Sequence, residues 1–148
     1  MDSRRVPALT VHRPWAALLL RHDGKDIENR LWSPRYRGPL LIHAGRAWDP
    51  GALEHASQLG ELPGFDWRQA AHPTGIIGVV DLVDVCGRSR SGRVRCSCGR
   101  WAAAEQFHWL CGSPEPFDEP IPSGGLQKLW YPTGLAAARV ERELRRLG

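Results

Sequence analysis

The 148-residue chain has no apolar run approaching the ~18 residues needed to cross a bilayer; its longest candidate, Ala16 to Leu20, is broken at once by Arg21. Nor does an apolar core follow the basic pair Arg4-Arg5 near the start, so neither a signal peptide nor an anchor is expected and the chain reads as cytoplasmic. No internal repeat is visible. Lysine is scarce, at 2 residues against 18 arginines. That bias suits recognition of phosphates or base edges, because guanidinium is a planar, weakly hydrated fork, although GC-rich coding produces the same bias. Acidic residues are missing altogether from residues 85 to 104, which hold five arginines.

What is present fits one soluble domain. Hydrophobic residues make up 42% and charged residues 24%, which excludes collagenous and fully disordered classes. The net charge of +4 is unevenly spread: residues 1–46 carry +5, residues 47–84 carry −5, residues 85–104 carry +5 and residues 105–148 carry −1. Two basic islands brought together by the fold would offer one positive face to a polyanion; apart, they are solvated patches.

Hydrophobic periodicity predicts a strand at Ala8 to His12 and a helix from Trp15 to His22, with Pro14 as its first residue and Gly24 just past its end. Further strands are expected at Lys25 to Trp32, at Gly38 to Ala44 (buried on both faces) and at Gly75 to Val85. Asp49-Pro50 opens a helical stretch towards Ala71, with a second helix near Asp66 to Ala70. Phe107 to Cys111 reads as a short strand, the proline-rich Ser113 to Ser123 as an extended loop, Leu126 to Tyr131 as a last strand and Gly134 to Leu147 as an amphipathic helix. The expected class is α+β: a small β-barrel flanked by helices, with an N-terminal tail at 1–7, a domain over 8–133 and a C-terminal helix at 134–148 packed on it.

Several blocks then occur in order: Thr10 to Ala16 (TVHRPWA), Gly24 to Trp32 (GKDIENRLW), Tyr36 to Ala44 (YRGPLLIHA), Gly75 to Asp84 (GIIGVVDLVD) and Leu129-Trp130. Together, over roughly residues 8 to 131, they resemble the ASCH domain. The resemblance implies a PUA-like fold, with helices flanking a cleft, and a nucleic-acid-binding role; some bacterial members cleave RNA or hydrolyse N4-acetylcytidine.

Lys25 and Glu28 are the candidate cleft pair, in an enzyme as base and partner, otherwise as an ion pair that positions a phosphate or base edge. Three positions apart, they face the same way only if a turn or bulge intervenes. The acetylcytidine-hydrolysing relatives have a threonine where Glu28 stands, so this chain lacks the hydroxyl for an acyl intermediate and departs from that activity. Arg13, Trp15, Arg30, Tyr36, Arg37 and Lys128 mix π-faces with cations, as single-stranded or flipped bases require, and Arg93 and Arg95 extend the basic surface. Trp32 reads as core, and His12 and His43 as ordinary packed histidines.

Four cysteines stand out. Cys86, Cys96, Cys98 and Cys111, with His108 as an alternative fourth ligand, offer a tetrahedral donor set for a structural zinc; buried thiols are the competing reading. The overall expectation is a nucleic-acid-binding module for DNA or RNA, a monomer or weak homo-oligomer with no membrane partner. Its alternative is a metal-independent ribonuclease or base-modifying hydrolase.

Overall fold

The computed structural model describes residues 5–21, 24–52, 54, 66, 73–88 and 98–148. Its framework is two long strands rich in β-branched and aromatic residues, β4 (Gly75–Gly87) and β5 (Phe107–Ile121), which pair antiparallel. Around them lie β1 (Ala8–Arg13), β2 (Ile27–Arg30), β3 (Gly38–Trp48) and β6 (Leu129–Trp130), giving one mixed sheet in the order β2-β5-β4-β3-β1-β6. Among the described pairings only β1 and β3 run parallel. Two helices complete the described elements: α1 (Trp15–Leu19) and α2 (Gly134–Leu147). The class is α+β, as expected. Closure is not seen: among the described pairings the sheet ends at β2 on one side and β6 on the other.

Strand alternation explains why both faces are covered. On β3, Leu40 and Ile42 join one apolar cluster with Leu9, Val11, Leu19, Val80, Leu82 and Trp109, while Leu41 points into a second with Ile76, Val79, Phe117 and Trp130. Helix α1 closes the first cluster through Ala16 and Leu19; α2 closes the second through Val140. A third, smaller cluster of Leu18, Ile27 and Trp101 lies beneath the α1 end of the sheet.

Several elements differ from the sequence expectations. Helix α1 stops at Leu19 rather than His22, which lies outside the described residues, and Pro14 precedes the helix instead of opening it. Strand β3 continues four residues past Ala44, where β1 still pairs with it, and β2 is confined to Ile27–Arg30. Most important, Ser113 to Ser123 is not a loop: β5 runs through Pro114, Pro116 and Pro120 to Ile121. The register against β4 shifts between Ile76 and Gly78 and again between Val79 and Asp81, and such irregularities are where a strand tolerates proline. The helices expected between Asp49 and Ala71 fall almost wholly outside the described residues. No helix among the described residues is long and apolar enough to cross a membrane.

Candidate nucleic-acid interface

A cleft of about 500 Å3 opens between β1, α1 and the edge strand β2. Its floor is a charged triplet. The chain turns between Gly24 and Asp26, before β2 begins, so Lys25 is released from strand alternation and its Nζ comes round to Glu28 Oε1 at 3.1 Å. The same ammonium donates to the Ile27 carbonyl at 2.5 Å. On β2, Glu28 and Arg30 share a face, and Arg30 Nε donates to Glu28 Oε2 at 2.8 Å. Arg30 Nη2 also donates to the carbonyl of Thr10 on β1, at 2.7 Å. Both members of the Lys25–Glu28 pair are buried, at 7% and 6% exposure. Burial pushes the Glu28 carboxyl up, yet the charges and hydrogen bonds of Lys25 and Arg30 prevail and hold it below its ordinary value.

The walls are aromatic. Trp15, at the start of α1, packs edge-on to Trp101 with ring centroids 6.3 Å apart, and its Nε1 donates to Asp49 Oδ2 at 2.6 Å. Lys25 Nζ lies 5.8 Å from the Trp15 ring centroid. Trp32 also lines the cleft and stands edge-on to the fully buried Trp109 at 4.8 Å, so it serves core and cleft together. The Trp101 wall is held from β2: Asn29 Nδ2 donates to the Trp101 carbonyl, and Asn29 Oδ1 accepts from the Ala103 N–H, both at 2.8 Å.

Among the described residues that line the cleft, Lys25 and Arg30 are matched by Glu28 and Asp49. Cations stand at the margin: the exposed Arg100 guanidinium is 5.2 Å from the Trp101 centroid, and the exposed Lys128 ammonium 6.0 Å from that of Trp32.

Of the residues singled out from sequence, Trp15, Lys25, Glu28 and Arg30 meet in this cleft and Lys128 stands at its margin. Tyr36 and Arg37 do not line it. They precede β3, which the sheet order separates from β2 by two strands; the Tyr36 hydroxyl donates to the Pro39 carbonyl, and Arg37 donates to the Pro34 and Tyr36 carbonyls and to Asp84. Arg13 is also outside the lining, donating to the Arg46 carbonyl. Arg93, Arg95 and Cys96 lie outside the described residues. His12 lines the cleft, whereas His43 is packed as a core histidine between Thr10 Oγ1 at 3.1 Å and the Ser123 carbonyl at 2.8 Å. Sequence reasoning missed Asn29, Asp49 and Trp101; the Arg100-Trp101 pair at the end of a basic island was the available signal.

Among the cysteines, Cys86 and Cys98 gather with His108, their ligand atoms within 4.8 Å of one another. Cys111 does not join them. It is three positions from His108 on β5, hence on the other face, with its thiol donating to the Trp109 carbonyl at 3.6 Å. Burial, then the nearby Glu28 charge, pushes that thiol up to about 12.

The ASCH family model matches residues 9–121. The chain belongs to the ASCH domain family. This ASCH domain is 32% identical over 128 residues to human activating signal cointegrator 1 and 30% identical over 126 residues to the mouse protein of the same name. Each match covers 82% of this chain and 21% of the relative, so the chain spans about a fifth of the length of these curated relatives. The described sheet and helices fit the PUA-like architecture expected of an ASCH domain.

Proposed function

We propose that this ASCH domain binds single-stranded nucleic acid by taking an unpaired base into the Trp15–Trp32–Trp101 cleft. The observation that carries the reading is the buried Glu28 carboxylate, fixed between Lys25 and Arg30 at the bottom of an aromatic-walled cleft. An ionised carboxylate accepts from an exocyclic amine of a base, and the tryptophans offer faces for stacking. The matched charges of the described lining residues suit a base, while Arg100, Lys128 and the basic islands suit the phosphates outside. Membership of the ASCH family supports a nucleic-acid partner, RNA above all.

The test is binding of labelled single- and double-stranded RNA and DNA at two salt concentrations. Single strands are expected to bind best, with affinity falling as salt rises because phosphate contacts release counterions. Trp15→Ala is expected to weaken binding about 5- to 150-fold, the loss of one stacking contact of about 1–3 kcal/mol. Parent-like binding by both Trp15→Ala and Lys25→Ala would place the ligand elsewhere.

A hydrolase acting through Lys25 and Glu28 is the second reading, favoured by their position on the cleft floor. Against it, the described residues lining the cleft include no serine, threonine or cysteine to act as nucleophile, and the Lys25 ammonium is already committed as a donor to two acceptors. Cleavage or deacylation of a bound strand that is abolished in Lys25→Ala would establish it.

A further inference from the structure

Away from the cleft floor, soft metal-ligating groups converge at one end of the β4–β5 pair. Cys86 and His108 are direct cross-strand partners and so share a face of the sheet. Cys98 enters from the segment that leads to Trp101 and brings its Sγ to 2.9 Å from that of Cys86. Cys86 Sγ is 4.0 Å from His108 Nδ1.

The histidine is already oriented. Its Nε2 lies 2.6 Å from the Ala103 carbonyl, and a carbonyl only accepts, so Nε2 is the donor there and Nδ1 is the nitrogen that faces the sulfurs. A metal-ligating imidazole is characteristically held this way, with its other nitrogen anchored to a backbone carbonyl. Gly87 leaves the room this requires. A Cβ there would stand 2.8 Å from His108 Nδ1, and the local φ of +87° disfavours any other residue.

We propose that Cys86, Cys98 and His108 bind one zinc ion. Two thiolates and a neutral imidazole are three soft donors for zinc, and one water kept by the ion would complete its tetrahedron, whereas calcium and magnesium demand oxygen. Binding forms two Zn–S bonds and one Zn–N bond and releases the two thiol protons to solvent. At Zn–S distances of about 2.3 Å, tetrahedral sulfurs sit about 3.8 Å apart, so the two cysteines open by under an ångström to admit the ion. The ion's place in the chain gives it a role. Cys98 lies three residues before Trp101, and His108 holds the Ala103 carbonyl, so zinc ties down both ends of the segment forming one cleft wall.

Metal analysis of the full chain, purified under reducing conditions without chelator, is expected to return about one zinc per chain. Replacement by cobalt(II) should give the sulfur-to-cobalt charge-transfer absorption of a tetrahedral thiolate site. Cys98→Ser should lose at least nine-tenths of the bound metal, and Cys111→Ser should retain all of it, with circular dichroism reporting that each variant is folded. The parent's stoichiometry and cobalt spectrum decide the matter even where a variant fails to fold. Metal-free parent protein, a Cys86–Cys98 disulfide in the purified parent protein, or full zinc retention by folded Cys98→Ser overturns the proposal. None of these readouts depends on nucleic-acid binding, so this site and the cleft reading fail separately.

Discussion

Glu28→Gln tests whether a buried carboxylate organises the cleft. The amide keeps the shape of the side chain and removes its charge, leaving the Lys25 ammonium, only 7% exposed, without its anion. Breaking a buried ion pair by neutralising one member costs about 3–5 kcal/mol. The lower end applies here, because the amide oxygen still accepts one hydrogen bond and Arg30 retains the Thr10 carbonyl and is one-quarter exposed. At about 2–4 °C per kcal/mol for a chain of this size, the midpoint of thermal unfolding at neutral pH should fall by about 6–12 °C. The pH dependence gives an internal check. Glu28 is held below 4.5 in the folded protein, so its contribution is present above about 4.5 and is lost as pH falls through the lower, folded value. The gap between parent and variant should therefore narrow in acid below that point. Adding Lys25→Met to Glu28→Gln should recover part of the loss, since the stranded cation goes with it. Calorimetry of the parent, Glu28→Gln and the double variant across pH measures all of this. A variant within about 2 °C of the parent at neutral pH, or an offset that does not narrow in acid, would refute the reasoning.

Asn29→Ala removes both hydrogen bonds to the Trp101–Ala103 segment and should cost about 2 kcal/mol, with hydrogen exchange rising at residues 101–103. Unchanged protection there would mean the segment is held otherwise. The Cys111 thiol, pushed up to about 12, should resist alkylation at pH 8 in the native protein and react only on unfolding, as peptide mass mapping would reveal. Val140 is the buried contact of α2, so Val140→Ala should destabilise by about 2 kcal/mol in denaturant titrations.

Those parts of the fold governed by local periodicity were legible in the sequence. Leu40, Leu41 and Ile42 announced a strand buried on both faces, and the spacing from Gly134 to Leu147 matched α2 at both ends. The second half of β5 was not legible, because Pro114, Pro116 and Pro120 argue against a strand unless one knows that the register against β4 shifts there. That is information held by β4. The site divides likewise. Trp15, Lys25, Glu28 and Arg30 lie within sixteen residues of one another, and one helix and one short turn suffice to bring them together. Trp101 joins them through Asn29, 72 positions away, and the separation of Cys111 from His108 follows from a strand whose full length the prolines concealed.

The Arg30 side chain joins two strands whose backbones do not pair. Among the described residues, β2 pairs only with β5, and β1 beyond Leu9 has no pairing on the side away from β3, so each presents a row of main-chain groups. Such rows are templates on which another chain can grow a strand, and proteins commonly protect them with charge. Here one guanidinium occupies the Thr10 carbonyl and is itself tethered to Glu28, which makes the gap a poor surface for adding a strand. Loss of the Arg30 tether should therefore expose a strand-adding edge as well as reshape the cleft, and substitutions at Arg30 should be read for self-association as closely as for affinity.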